Sequence, residues 1–361
     1  MLDGYVGLSA DLALMAQAAA LAKERNRTFL VDDTYWNRGK WIDYFQDVRA
    51  RQPGPEPGCR APPSEELVAC PRTARHWVIN SRTAKWHFGH GFSENYEDAY
   101  ARQLNRLKVI YERARESLQH TIRPNAATAL LIRSVRAEFA SLLPNSTSGL
   151  SSSDVGRYIA VHIRRGDRYG LSWKYHGKYI PIEDYAEATS STWSRLFLDP
   201  DLPPSSHPPS PVVYLAFDDP TTQENYRAQL PADTTLFSLV ESTDGELRAL
   251  SSPIAYVQKE FDALWEAERV KRTRGMVVDF AMMGGFWNWE SEGNIVPGAV
   301  VCTIGSNACR LSATGLGWDR AFGHVFGDHV EGNIDEQYKR WVEIDEKGAV
   351  EPVWQAFELF N

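Results

Sequence analysis

The sequence predicts an α/β protein of two domains, the second built on a parallel sheet with helices on both faces. Three observations carry this. At 361 residues the chain is longer than one simple core holds. From residue 151 onward short apolar runs alternate with amphipathic stretches, the pattern of strand–helix–strand units. One run, Tyr158-Ile159-Ala160-Val161-His162-Ile163-Arg164-Arg165-Gly166-Asp167-Arg168, stops in a burst of charge. It reads as a buried strand that delivers an imidazole and paired guanidiniums to its carboxyl end, where open α/β sheets bind ligands.

Element by element, residues 8–24 form an Ala-rich helix and Thr28-Phe29-Leu30-Val31 a strand that ends in Asp32-Asp33. A loop rich in Tyr35, Trp36, Trp41 and Tyr44 follows. Residues 52–75 carry Pro, Gly, Cys59 and Cys70 and read as a stapled irregular insertion. Trp77-Val78-Ile79 is a further short strand. Residues 95–120 and 125–143 have apolar positions three and four apart and form amphipathic helices. The polar stretch 145–154 separates a first lobe, 1–150, from a second, 151–330, with a tail at 331–361. Strands of the second lobe are 157–163, 212–216, 234–238 and 299–303. Its helices are 182–195, 220–229, 253–269, 273–287 and 306–315.

Composition narrows the function. Hydrophobic content of 43% and charged content of 24% are those of a globular protein. A net charge of −8 excludes long-range attraction to nucleic acid or to anionic membrane. No run of eighteen apolar residues is present, so nothing here spans a membrane. Residues 12–22 mimic a signal-peptide core, but Asp3 and Asp11 precede them and no basic residue does, so they read as a buried helix. Such a helix is usually fed by a strand, and an upstream strand or anchor is expected outside this chain. The cysteines fall into two local pairs, Cys59 with Cys70 and Cys302 with Cys309. Disulfides and an oxidising compartment explain that spacing; four reduced buried thiols are the alternative.

Paired arginines at a strand end suit a diphosphate, because guanidinium and phosphate match as planar fork and oxyanion. A solvated charged turn is the plain alternative. Three further motifs bear on the choice. In Val212-Val213-Tyr214-Leu215-Ala216-Phe217-Asp218-Asp219-Pro220, Asp219 before Pro220 is a helix start and Asp218 is left for function. In Arg274-Gly275-Met276-Val277-Val278-Asp279, Asp279 sits in an apolar helical stretch. A carboxylate there needs a partner, either an internal one or a ligand with adjacent N–H donors such as guanine. In Val300-Val301-Cys302-Thr303-Ile304-Gly305-Ser306-Asn307-Ala308-Cys309-Arg310, strand passes through a tight turn into a helix, with Ser306 at the cap position and amides that attract phosphate. The cluster Arg269, Lys271, Arg272, Arg274 is a solvated helix face or serves a small anion. His87-Phe88-Gly89-His90 reads as a packed loop rather than a metal site.

In this order HxRR, YLAxDDP, RGxxxD and VCTxxSxxCR resemble the fucosyltransferases that build the α1,6-linked core fucose of N-glycans, and their rhizobial nodulation relatives. The loop Trp36-Asn37-Arg38-Gly39-Lys40-Trp41 with Phe45 is similar to that family's Trp-rich loop. The stretch Gly4 to Asp11 corresponds to its Gly-rich first turn. The likeness covers roughly residues 4–315. It implies a GT-B-like fold of two Rossmann-type lobes and an inverting transfer of fucose from GDP-fucose to a glycan or glycoprotein acceptor. No metal or other cofactor, and no nucleic acid, takes part. It further implies a place in the secretory pathway, in the Golgi lumen, with any membrane attachment through a segment outside this chain. Carried over by position, Arg164 binds the β-phosphate and stabilises the leaving group, with Arg165 as the second catalytic arginine. His162 and Asp279 hold guanine, Ser306 and Asn307 meet the diphosphate, and Asp218 or Asp219 supports the site. The Cys302–Cys309 pair matches a disulfide of the mammalian enzymes.

The chain departs from the family at Gly166, where the family has threonine, at Arg168, where it has lysine, and at Ser172, where it has the glutamate proposed as general base. Asp167, Glu183 or an acid of the early loop are the substitutes on offer. The stretch after residue 318 is too short for the SH3-like domain of the animal enzymes. A protein O-fucosyltransferase or other GDP-sugar transferase, and a sugar-nucleotide-binding protein without catalysis, are the rival readings.

Overall fold

The computed structural model describes residues 1–51, 76–97, 104–143, 158–167, 169, 174–175, 177–198, 210–288, 295–323 and 334–345. The proposed lobe boundary at 145–154, Cys59 and Cys70, and most of the tail lie outside these residues.

The first part is helical: α1 Leu8–Glu24, α2 Ala84–Phe88, α3 His90–Tyr96, α4 Lys108–His120 and α5 Ala126–Ala140. The second alternates: β1 Ile159–Ile163, α6 Ile182–Phe197, β2 Val212–Phe217, α7 Thr221–Arg227, β3 Thr235–Phe237, α8 Gly245–Ala249, α9 Gln258–Asp262, α10 Glu266–Gly284, β4 Ala299–Cys302, α11 Asn307–Leu316, α12 Trp318–Phe322 and β5 Trp341–Glu343. The five strands pair in the order β3-β2-β1-β4-β5, all parallel. That is the order of a doubly wound sheet, with the direction of strand addition reversing between β1 and β4.

Alternation along the strands sorts the two faces. Ile159, Val161 and Ile163, with Val213, Leu215 and Val301, pack under Tyr185 and Trp193 of α6 and Tyr226 of α7. Tyr158, Ala160, Tyr214 and Val300 face α10, α11 and α5 in a second and larger core. This core runs on without interruption into the amino-terminal helices. α1 is buried from Leu8 to Ala19 on almost every side and packs on α4 and α11. Its alanines permit that, since a helix enclosed by neighbours needs small side chains at its crossings.

Polar anchors fix how α10 lies on the sheet. Tyr158 donates to the Met282 carbonyl at 2.8 Å, and Arg136 of α5 donates to the carbonyls of Trp287 and Phe286 at 2.8 and 2.5 Å. The Trp287 ring nitrogen reaches the Leu118 and Ile122 carbonyls at the end of α4, each at 2.8 Å. Trp287 holds a positive φ of 56°, a conformation costly for a side-chain-bearing residue and sustained by these contacts.

Three expectations need correction. The segments 28–31 and 77–79 are not strands. The Leu2 amide donates to the Asp32 carbonyl at 2.8 Å and the Met1 amine to the Ile79 carbonyl at 2.9 Å, but isolated bonds make no ladder. Among the described residues there is one sheet, so the second Rossmann-type sheet expected in the first lobe is not seen. The helix division expected at 270–272 lies instead at 263–265: Trp265 is extended, acidic Glu266 and Glu268 open α10, and the basic cluster rides in mid-helix. Finally, β5 escapes the sequence pattern, being three residues at a sheet edge.

α10 and α11 cross where Gly315 meets Gly284. A Cβ at 315 would stand 2.2 Å from the Gly284 carbonyl oxygen. Gly315→Ala therefore destabilises the protein by about 1–3 kcal/mol, the cost of overpacking outweighing the gain of up to about 1 kcal/mol in helix propensity. A urea midpoint equal to or above wild type would contradict this crossing.

Candidate active site

A cavity of about 440 Å³ opens at the carboxyl ends of β1, β2 and β4, where the sheet order reverses. The amino-terminal part closes its far side with Tyr5 to Ala10, Leu12 and Arg38. His162, Arg164, Asp218, Asp279, Ser306 and Asn307 all line it. Six of the eight residues singled out in the sequence are thus brought together. Arg165 and Asp219 are not.

The reason for Arg165 is strand alternation. His162 and Arg164 follow Ala160 on the α10 face; Arg165 follows Ile163 on the other. Its guanidinium lies over the Tyr179 ring at 5.0 Å, and only its backbone amide turns toward the site, donating to Asp218 Oδ1 at 2.6 Å. Asp219 is a turn residue: its carboxylate accepts from the Thr221 amide and hydroxyl at 3.0 and 2.9 Å and starts α7, one residue later than the Asp-Pro signal places it.

Asp218 organises the entrance. Beyond the Arg165 amide, its Oδ2 lies 2.8 Å from Arg164 Nη1, a contact with ion-pair rather than hydrogen-bond alignment. Its carbonyl accepts from the Tyr256 amide at 2.7 Å. Burial raises its pKa, and Arg164 followed by the Arg165 amide pulls it back. Arg164 also donates to Asp167 at 2.9 Å and sits 5.5 Å from the Tyr256 ring. Asp167 in turn accepts from the Gln258 amide at 3.0 Å. Gly166 makes this packing possible: its φ is +38°, and a Cβ there would stand 2.3 Å from the Tyr256 carbonyl oxygen.

His162 and Asp279 lie deeper. Burial, reinforced by Arg164, lowers the His162 pKa to about 3, so the ring is neutral and its Nδ1 has no hydrogen-bond partner. Asp279 accepts from the Tyr214 hydroxyl at 2.7 Å; burial raises its pKa to about 7 against that bond. No arginine neutralises it among the described residues, which resolves the internal-pairing alternative in favour of a tyrosine hydroxyl.

Two helices start at the cavity. α1 begins after Gly7 and α11 after Ser306, and neither is capped by a side chain. The cap position expected for Ser306 is correct, but its hydroxyl does not bond the helix. Asn307 accepts from Arg310 at 3.0 Å. Cys302, at the end of β4, and Cys309, in the first turn of α11, are disulfide-bonded at 1.98 Å, bracketing the turn that carries Ser306.

Sequence reasoning missed Arg38 and Arg310, and left Arg272 within a cluster of undecided role. All three line the cavity. Arg310 stands one helical turn from Asn307, a spacing that would have pointed to it. Arg272 bonds Glu268 at 2.9 Å and Ser252 at 3.2 Å. The rest of the basic cluster divides otherwise: Arg269 ties the carbonyls of Asp262 and Leu264, and Arg274 that of Asp43. His87 is spent on the Val78 carbonyl at 3.0 Å.

Four guanidiniums and two uncapped helix starts make the cavity fit for a polyanion. Asp279, a buried carboxyl lining the cavity, keeps acceptor capacity beyond its bond from Tyr214. The suggested bases fare less well. Asp167 is committed to Arg164 and Gln258, Glu183 is exposed on α6 and does not line the cavity, and Ser172 lies outside the described residues. Compared with known proteins, the chain matches no family model and no curated protein.

The raised pKa of Asp279 has a definite sign. Its folded form binds a proton more tightly than the unfolded form, whose pKa is near 3.8. Its burial therefore costs no stability below about pH 4, and the cost grows up to about pH 7, then stays constant. Asp279→Asn removes that cost. Relative to wild type its stability rises with pH over this window, by roughly 2–4 kcal/mol at pH 8, with no gain at pH 4. Parallel melting curves for the two proteins from pH 4 to 8 would refute the assignment.

Proposed function

We propose that the cavity binds GDP-fucose and that the protein transfers fucose to a glycan hydroxyl with inversion, as the α1,6-fucosyltransferases do. The observation that carries this reading is the convergence of His162, Arg164, Asp279 and Ser306 on one cavity at the switch point of a parallel sheet. They come from three separate motifs, HxRR, RGxxxD and VCTxxSxxCR, that lie far apart in the sequence. In this reading guanine donates the paired N–H groups of one edge to Asp279 with neutral His162 beside it, and the diphosphate lies between Arg164 and the start of α11.

The chemistry follows from where charge develops. The acceptor oxygen attacks the anomeric carbon while the bond from that carbon to the β-phosphate oxygen breaks. The departing GDP gains negative charge as the ring carbon becomes cationic. Donors already fixed at the phosphate lower the barrier without reorganising. Arg164 is held by Asp167 and Asp218 and supplies such a charge. In this scheme the reading needs no metal. The fold then corresponds to the GDP-binding half of a GT-B enzyme. Disulfide bonding at Cys302–Cys309 fits passage through the secretory pathway.

One observation favours a second reading. Asp167 already accepts from Arg164 and the Gln258 amide, and Asp218 from the Arg165 amide, so among the described residues no uncommitted carboxylate adjoins Arg164. A GDP-sugar-binding protein without turnover would look the same. Rate and binding together decide. GDP and GDP-fucose raise the melting temperature, UDP-sugars do not, and EDTA leaves both results unchanged. Arg164→Ala lowers fucose release about a hundredfold to a thousandfold. Wild type that binds GDP yet releases no fucose would leave only the binding reading; stabilisation by UDP-sugars with manganese alone would remove both.

A further inference from the structure

Arg38 is a buried cation. It is 1% exposed and lines the cavity from the side opposite the sheet. Its partners are neutral: Nη2 donates to the Tyr256 hydroxyl at 3.0 Å, Nη1 lies 3.7 Å from the Met276 sulfur, and the guanidinium covers the Phe261 ring at 4.6 Å. Nε has no hydrogen-bond partner. Among the described residues it forms no ion pair. Asp11 feels its charge from a distance but is bonded to the Trp36 ring nitrogen at 2.9 Å, and burial raises the Asp11 pKa to about 7. Asp262 accepts at Oδ1 from Asn37 and Gln258, at 2.6 and 2.8 Å, and makes no ion pair with Arg38. Burying a charge this completely is expensive unless an opposite charge is supplied. The cavity is the remaining direction from which one can come.

Tyr256 relates the two arginines. Its hydroxyl meets Arg38 and its ring lies against Arg164, so the two guanidiniums are one tyrosine apart across the same space. Arg38 is fixed in place by Gly39, whose φ is +102° and whose Cβ would stand 2.6 Å from Val270. The 36–41 loop thereby sits close against α10.

We infer that Arg38 is a second anion-binding guanidinium, which takes one phosphate of a nucleoside diphosphate while Arg164 takes the other. The placement of the nucleotide rests on the function proposed above; the need for an anion at Arg38 does not. A bound diphosphate would then join the amino-terminal loop to the sheet through two charged contacts. Guanosine, which lacks the phosphates, would not engage Arg38 at all.

Calorimetric titration of the whole chain tests this with four probes: guanosine, GDP, UDP and inorganic pyrophosphate. Arg38→Met is expected to weaken GDP and pyrophosphate at least tenfold and to leave guanosine unchanged. Its ligand-free melting temperature should equal or exceed that of wild type, because the uncompensated charge is gone. A structural arginine would behave the other way, with a lower melting temperature and unchanged pyrophosphate affinity; that result overturns the inference. Should Arg38→Met fail to fold, Arg38→Lys decides, since it keeps charge but loses the fork. A fall of at least threefold for pyrophosphate supports the role, and no change overturns it. Wild type that binds pyrophosphate without preference for GDP over UDP would sink the guanine assignment and leave Arg38 standing. Wild type that binds neither pyrophosphate nor GDP sinks both.

Discussion

The carboxylate and carbonyl of Asp218 hold the entrance of the site together. One residue at the end of β2 fixes the chain as it leaves β1, through the Arg165 amide. It orients Arg164 by charge and receives the Tyr256 amide from the 252–258 loop. Three segments far apart in sequence are thereby set to one another at the point where the strands stop. The cost of burying this carboxylate is offset by the groups it organises. That is why neither Asp218 nor Arg164 is understood as an isolated charge.

Charge in the cavity is graded with depth. Toward the entrance, Arg164 is balanced by Asp167 and Asp218. Deeper in, His162 is neutral and Asp279 is a carboxyl whose proton is held to about pH 7. On the opposite wall Arg38 carries a charge that forms no ion pair among the described residues. The balance therefore tips positive on one side and toward a hydrogen-bond acceptor on the other, a polarity suited to a ligand with an anionic end and a donor-rich end.

Much of this was legible in the sequence because the relevant signals are local. Strand alternation put Ala160, His162 and Arg164 on one face, and it equally places Arg165 on the other. Assigning both arginines to the site ignored that rule. β1 to β4 are mostly apolar, interrupted by His162 in β1 and Thr235 in β3, as buried parallel strands read, and α1 was recognisable from its alanines. What escaped depends on contacts between distant segments. β5 has only three residues and exists because Arg340 and Ile344 bond to β4. The extended stretches at 28–31 and 77–79 have strand-like composition but gain too few backbone partners. Arg38 carries no local signal within its loop; that it forms no ion pair among the described residues emerges only from the fold.

Gly166 sets how deeply the entrance is cut. The 252–258 loop rests on the turn after β1 as a lid rests on a rim, and the rim is low because residue 166 carries no side chain. A methyl and hydroxyl at that place would prop the loop away from β1 by more than an ångström, since even a lone Cβ falls 2.3 Å from its backbone. Tyr256 would lose its seat beside Arg164. The missing side chain is thus exchanged for a tyrosine wall at the mouth of the cavity.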